Sequence, residues 1–259
     1  MLPSQRVADA EYAKRRALAD VTETRFGPFV HDPDHDDRAA ATQLLDARLP
    51  TVDAPLPDRD QAARALLDRL DSLFDRCNLP HRVVAGTDPE TAARLAPLAR
   101  DRGYERENYW ALLPHRVEAP DSRNGLRFDG RPHGSDAART VHELVGRDPA
   151  GVAYAAAFTS ALGGTELVAF RGEDPVGAAG WYVHDGGGDE APVARLTHVG
   201  VAPGIHGEGI GAALIRRVVD RCPLPSSRIV VCATGERTGF YERIGFVRNN
   251  ALWRFARLP

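Results

Sequence analysis

The chain has 259 residues, 43% hydrophobic and 27% charged, which excludes a disordered chain and fits one large domain or two small ones. Its 33 basic and 36 acidic residues leave a formal net charge of −3, so no global field draws in nucleic acid. No apolar run approaches the ~18–20 residues that cross a bilayer, no apolar leader follows Met1, and Cys77, Cys222 and Cys232 are too few and scattered for a disulfide framework or a tetrahedral zinc site.

In chain order, residues 8–19 read as a charged helix and 24–30 as a strand. The acid- and histidine-rich turn at 31–37 has the right residue types for a metal, but Pro33 and the short spacing fix no ligand geometry, so a solvated acidic turn is expected. Apolar residues at Ala62, Leu66, Leu67, Leu70 and Leu73 have helical spacing. A strand at 81–85 follows, then a helix opened by Thr87-Asp88-Pro89 and closed at Gly103, then a strand at 104–113. The polar stretch 114–124 is the expected linker. After it come a strand (125–128), helices (135–145 and 150–160) and three strands (166–171, 176–183 and 193–201) joined by short turns, which predicts antiparallel pairing. Helix 207–220, strand 228–232, helix 237–244 and strand 246–255 close the chain.

The two halves repeat. Asp75-Arg-Cys-Asn-Leu-Pro80 matches Asp220-Arg-Cys-Pro-Leu-Pro225, and Gly103-Tyr-Glu-Arg106 matches Gly245-Phe-Val-Arg248. Both copies run helix, strand, helix, Gly-aromatic, strand, so two related units are expected, 1–118 and 119–259. Only the second opens its helix with glycines, His206-Gly-Glu-Gly-Ile-Gly211; the first has Gln61-Ala-Ala-Arg-Ala-Leu66 there. Glycines before a helix let a pyrophosphate reach unpaired backbone N–H groups, which implies a nucleotide-containing cofactor. The spacing is wrong for a dinucleotide-binding turn, and the Gly-Lys-Ser/Thr of a P-loop is missing. The remaining alternative is a turn that merely packs closely.

Residues 125–259 resemble the GCN5-related N-acetyltransferase (GNAT) superfamily. The resemblance rests on Val201-Ala-Pro203 followed by His206–Gly211, with His206 where glutamine or arginine is usual, and on Phe240-Tyr-Glu-Arg-Ile-Gly-Phe246 about 30 residues later. It implies an α/β fold: a mixed, mostly antiparallel sheet flanked by helices, in tandem, with a degenerate first copy that scaffolds the second. It implies acetyl-CoA as cosubstrate and no metal. Val199, Gly200 and Val201 would pair with the pantetheine arm where their strand splays from its neighbour. His206, Gly207, Glu208, Gly209, Ile210, Gly211 and Ala212 would hold the pyrophosphate, and Tyr241 would protonate the leaving thiolate. Ala99 stands at the place of Tyr241 in the first copy.

The base is open. Arg195, Thr197 and His198 occupy the strand where relatives carry a carboxylate, and His198 is the candidate among them; His184, Asp185, Glu166 or Glu173 could act through water, or no base is needed. Arg216, Arg217 and Arg237 are candidates for the cofactor's phosphates, with solvated helix arginines the bland alternative. The expected activity is transfer of an acetyl group to a primary amine of a small molecule or peptide, by direct transfer. The expected setting is cytoplasmic, without nucleic acid or membrane, and compatible with a homodimer. A non-catalytic acyl-CoA sensor is the rival, and a nucleotide enzyme of the dinucleotide-binding kind a weaker third.

Overall fold

The computed structural model describes residues 2–50, 56–117, 125–132, 134–186 and 191–259. The expected boundary at 118/119 therefore lies outside the described residues. The chain divides into two compact units that interleave in sequence: a larger one, Met1–Ala17 with Ala111–Asn250, and a smaller one, Leu18–Trp110 with Ala251–Pro259.

The elements follow the predicted order. They are α1 (Ser4–Arg16), β1 (Asp20–Thr24), β2 (Gly27–His31), β3 (Gln43–Leu44), α2 (Leu56–Arg76), β4 (Arg82–Gly86), α3 (Pro89–Asp101), β5 (Glu105–Pro114) and β6 (Leu126–Pro132). Then come α4 (Asp136–Leu144), α5 (Pro149–Ala161), β7 (Thr165–Arg171), β8 (Asp174–His184), β9 (Val193–Val201), α6 (Ile210–Arg221), β10 (Ile229–Thr234), α7 (Gly235–Arg243) and β11 (Phe246–Arg257). The region expected as one strand at 24–30 is a hairpin, with Asp20–Thr24 paired to Gly27–His31. The turn between them lacks an Asn-Gly or Asp-Gly pair; Thr24 Oγ1 instead accepts from the Phe26 amide and donates to the Gly27 carbonyl.

In the smaller unit the strands run β1-β2-β3-β4-β11-β5. The α2 stripe Leu66, Leu67, Leu70, Phe74 meets Leu95 of α3 and Phe255 of β11 in one core. Asp88 caps α3 by accepting from the amides of Glu90 and Thr91, as its sequence position requires. In the larger unit the order is β5-β10-β9-β8-β7-β6. Here β6–β7, β7–β8 and β8–β9 are antiparallel, whereas β9–β10 is parallel. The sheets are thus mixed and mostly antiparallel with flanking helices. The fold is the tandem α/β arrangement expected.

The repeat is visible in each copy's second half. Helices α3 and α7 both end at a left-handed glycine, Gly103 at φ +79° and Gly245 at φ +95°. Ala99 is fully buried in the smaller unit's core. The last strand of each copy is shared: Glu105–Trp110 and Ala251–Arg257 belong to the smaller unit, the rest of β5 and β11 to the larger. Within the smaller unit β11 pairs antiparallel with β4, Trp253 to Arg257 against Gly86 to Arg82. Helix α1 belongs to the larger unit. The Tyr182 hydroxyl donates to the Ala10 carbonyl at 2.6 Å, and Arg195 pairs with Glu11 at 2.7 Å. A linear division near residue 118 cuts across both features.

The acidic turn ties up its own side chains. His31 meets Asp36 and His35 meets Asp32, each at 2.8 Å, and Asp32 accepts from the Asp34 amide. Among the described residues no group of three His, Cys, Asp or Glu could hold a metal. Cys77 Sγ is 3.6 Å from His31 Nδ1, but burial and then the Asp36 charge push the thiol up, which disfavours a thiolate nucleophile there.

Candidate functional site

The site is built on β8, β9 and the two helices after β9. Strand β9 pairs with β10 only at Ala194–Ile229 and Arg195–Val230, although it runs on to Val201 and β10 to Thr234. Past Arg195 and Val230 the pairing ends and the strands part, so β10 does not take up the backbone N–H and C=O groups of β9 there. A bulge accompanies the parting. Between the pairs Gly180–Thr197 and Ala178–Gly200, β8 advances two residues and β9 three. The extra residue falls beside His198, whose φ is +56°. The glycine in the strand suggested such a place, but the bulge is centred just before Gly200.

At the end of β9 the chain turns through Gly204 and Gly207, with φ of +86° and +89°. Helix α6 then starts from Gly209 in the left-handed conformation (φ +81°), and no side chain caps it. The Ala213 amide makes the first bond back, to Gly209 O. The amides of Ile210, Gly211 and Ala212 therefore have no partner in the helix. A Cβ on Gly204 or Gly207 would meet nothing within 4 Å, whereas one on Gly211 would lie 3.2 Å from the Phe240 ring. Gly211 is thus small so that α6 and α7 can approach, and Gly207 is small where the protein itself leaves space. The His206 ring folds back, its Nε2 donating to the Val201 carbonyl at 3.0 Å. Glu208 is paired with Arg171 at the end of β7.

Tyr241 lies on α7 between the Phe240 and Phe246 rings and is 7% exposed. Burial pushes its hydroxyl pKa above the ordinary tyrosine value, against the pull of Arg195, Arg237 and Arg147. The sheet register brings Glu166 toward the same place, since Glu166 pairs with Gly180 and Gly180 with Thr197. Glu166 is fully buried and meets His142 Nε2 of α4 at 2.7 Å. His142 Nδ1 is 3.9 Å from where a Gly200 Cβ would be. The His198 ring packs on His142 (5.8 Å) and Phe158 (5.5 Å). Arg147, on the α4–α5 loop, donates to His198 Nδ1 at 2.7 Å. That bond occupies a lone pair His198 would need as a base.

The other candidates lie elsewhere. Glu173 lies just before β8, and His184 ends that strand with Asp185 just beyond. Arg195 is buried in its pair with Glu11. Arg216 is held by Asp220 and the Val117 carbonyl, and Arg217 lies over the Phe128 ring. Arg237 alone of the three helix arginines exerts its charge on Tyr241. Sequence spacing gave no sign of His142, Arg147 or Phe158, because their meeting with His198 depends on long-range packing and on the bulge.

Residues 163–248 match the family model described as an acetyltransferase (GNAT) domain. This segment is similar to a GNAT domain. Solved structures agree on the fold. A GCN5-related N-acetyltransferase from Kribbella flavida superposes with a TM-score of 0.68 at 16% identity, covering 100% of this chain and 97% of that one. A functionally unknown conserved protein from Staphylococcus epidermidis gives 0.68 at 14% identity, with 92% and 94% covered. A tandem GNAT protein from the clavulanic acid biosynthesis pathway gives 0.58 at 14% identity, with 83% and 74% covered. A search of curated proteins finds no match. The matched segment contains β9, the glycine turn and Tyr241, whereas His142, Arg147 and Phe158 precede it. The likeness to a GNAT domain suggests acyl transfer from an acyl-CoA. Among the described residues no helix is long and apolar enough to cross a membrane.

Proposed function

We propose that the GNAT domain transfers an acetyl group from acetyl-CoA directly to a primary amine, with Tyr241 as the acid. The observation that carries this is the parting of β9 from β10 beside an uncapped helix start. An extended pantetheine arm can pair with the free edge of Val199, Gly200 and Val201 as an added strand does. The amides from Gly207 to Ala212, with His206 and Glu208 at the rim, suit a pyrophosphate, which the helix dipole favours. Arg171 offsets the Glu208 charge that would otherwise oppose it.

The amine nitrogen attacks the thioester carbonyl. The C–S bond breaks as the tetrahedral intermediate collapses, and the sulfur takes the Tyr241 proton; the proton shed by the nitrogen passes to water. The raised pKa keeps Tyr241 protonated over the working range. Arg147 and Arg237 act on this site as positive charges, which disfavours an ammonium and favours the neutral, nucleophilic amine. This supports the route without a dedicated base, with His198 held by Arg147 as a positioning residue. The smaller unit has no glycine turn and carries Ala99 in place of Tyr241, so it serves as scaffold.

Calorimetric titration of acetyl-CoA, followed by CoA release with a panel of amines, tests the proposal. Tyr241→Phe should keep the acetyl-CoA Kd within about threefold and slow CoA release by roughly 10²–10⁴, the usual worth of a positioned acid. The engagement of His198 Nδ1 favours one rival, an acyl-CoA sensor without turnover. Tight acetyl-CoA binding with silence across the whole panel would establish that rival instead.

A further inference from the structure

The smaller unit holds a cysteine, a histidine and an aspartate in line, none of them used by the acetyl-transfer site. Cys77 follows the end of α2, and its Sγ lies 3.6 Å from Nδ1 of His31, the last residue of β2. Nε2 of the same ring meets Asp36 Oδ1 at 2.8 Å. A carboxylate only accepts, so Nε2 carries the hydrogen and Nδ1 turns its lone pair to the thiol. The ring also stacks on Phe29, with centroids 6.5 Å apart and planes at 29°. Cys77 is half-buried, while the His31 and Asp36 side chains are 22% and 47% exposed, so the corner is open to solvent.

Nucleophile, base and orienting acid stand here in the order that general-base activation needs. The raised thiol pKa excludes a standing thiolate, so the sulfur reacts by giving its proton to His31 as it attacks. That suits a carbonyl better than a disulfide, because exchange with a disulfide needs the thiolate already formed. Among the described residues only Cys77 has a histidine against its sulfur. Cys222, its counterpart in the repeat, is 9% exposed, and burial pushes the Cys232 thiol up to about 12. The backbone around Cys77 is already engaged: the amides of Cys77 and Leu79 donate to the Phe74 carbonyl, and that of Asn78 to the Asp75 carbonyl. These three amides therefore offer nothing to an oxyanion, which favours an acyl group that stays on sulfur over hydrolytic turnover.

We propose that Cys77, with His31 as base and Asp36 holding the ring, is an S-acylation site that takes an acyl group from a small activated ester or thioester. The sulfur bonds to the acyl carbon, the C–O or C–S bond of the donor breaks, and the thiol proton passes through His31 Nδ1 to the departing oxygen or sulfur. The products are acyl-Cys77 and a free alcohol or thiol, with no oxidant involved. Asp36 acts through His31 and is a positioning residue.

The probes are p-nitrophenyl acetate and N-acetylcysteamine thioacetate, read by release of nitrophenol or thiol and by peptide mass; neutral hydroxylamine removes a thioester and leaves an amide. The full chain should take up one hydroxylamine-labile acetyl group, on Cys77, before Cys222 or Cys232 and faster than glutathione does at neutral pH. His31→Gln should slow this by about tenfold or more, and Asp36→Asn should slow it too. The gap between wild type and His31→Gln should close as pH rises, because the variant depends on thiolate. The other charged groups around the pair are Arg76, which acts on the thiol, and His81, on which Asp36 and His31 both act. Asp36→Asn, at an exposed position, carries the test alone should His31→Gln not fold. Acylation of Cys77 slower than that of glutathione, first acylation of another cysteine, or equal rates in wild type and variants overturns the proposal. Neither probe carries a diphosphate, so Gly207→Ala should acylate Cys77 like the wild type, and the result stands apart from the acetyl-CoA reading. Loss of acylation in Gly207→Ala also overturns the proposal, because the acyl group would then have come by way of the larger unit.

Discussion

Gly204 and Gly207 form a natural matched pair. Both have positive φ, +86° and +89°, and at both an added Cβ meets nothing within 4 Å. An alanine at either site therefore clashes with no protein atom, and its cost to folding is the left-handed backbone alone, about 1–2 kcal/mol. For a chain of this size that lowers the melting temperature by roughly 2–8 °C. The two should be alike in this respect. They should differ in cofactor binding, because Gly207 lies in the proposed cradle and Gly204 before it. Either the new methyl group stands in the ligand's space or the backbone relaxes and turns an amide away. Losing one hydrogen bond to a charged group costs about 1.5–3 kcal/mol, roughly 10- to 100-fold in Kd. Calorimetric titration of acetyl-CoA into both variants, beside thermal melts, reads both effects. Gly204→Ala should stay within about threefold of wild type while Gly207→Ala falls by tenfold or more. Equal losses, or no loss at Gly207, would refute the placement of the diphosphate.

Two further outcomes follow from geometry away from the cradle. At Gly245 a Cβ would sit 1.8 Å from the Arg116 carbonyl oxygen, and the Gly245 carbonyl accepts from His115 and Arg116. Gly245→Ala should lose about 3 kcal/mol or more, backbone strain plus overpacking, whereas Gly103→Ala, whose nearest neighbour would be Arg257 Cδ at 3.9 Å, should lose only the backbone share; equal melting temperatures would contradict this. Glu11→Gln leaves Arg195 buried without its partner and should cost about 3–5 kcal/mol at neutral pH. Burial alone would raise the Glu11 pKa, but Arg195, Lys14 and Arg15 together hold it well below the usual carboxylate range. The sign follows: the pair's contribution is complete above the unfolded carboxylate value of about 4.3 and fades as pH falls toward the folded one. The melting-temperature gap between wild type and variant should be flat from pH 5 to 7, and narrow only below about pH 4.

The sequence made the glycine turn readable because its demand is local. Left-handed backbone before a helix and a close helix approach both favour glycine, and that demand is written in residues 207, 209 and 211. The alternating strands and short turns after residue 165 likewise declare themselves residue by residue. The hairpin at 20–31 stayed hidden because Thr24 replaces the usual turn residues, and β3 because two residues carry no period. The cluster around His198 was illegible for a different reason. Its members come from α4, the α4–α5 loop, α5 and β7, and one extra residue in β9 decides which way the histidine faces. No spacing along the chain encodes such a meeting.

The interleaving of the two units has a practical side. Severing the gene in the polar stretch near residue 118 would strip Arg195 of Glu11, since α1 travels with the amino-terminal fragment. The same cut would part Trp253–Arg257 from the Gly86–Arg82 edge, so the carboxy-terminal fragment would end in a sticky, half-orphaned ribbon. Anyone wishing to dissect the duplicate halves, or to graft the larger unit onto another scaffold, should circularly permute the chain or carry residues 2–17 along with it, rather than trust the repeat boundary.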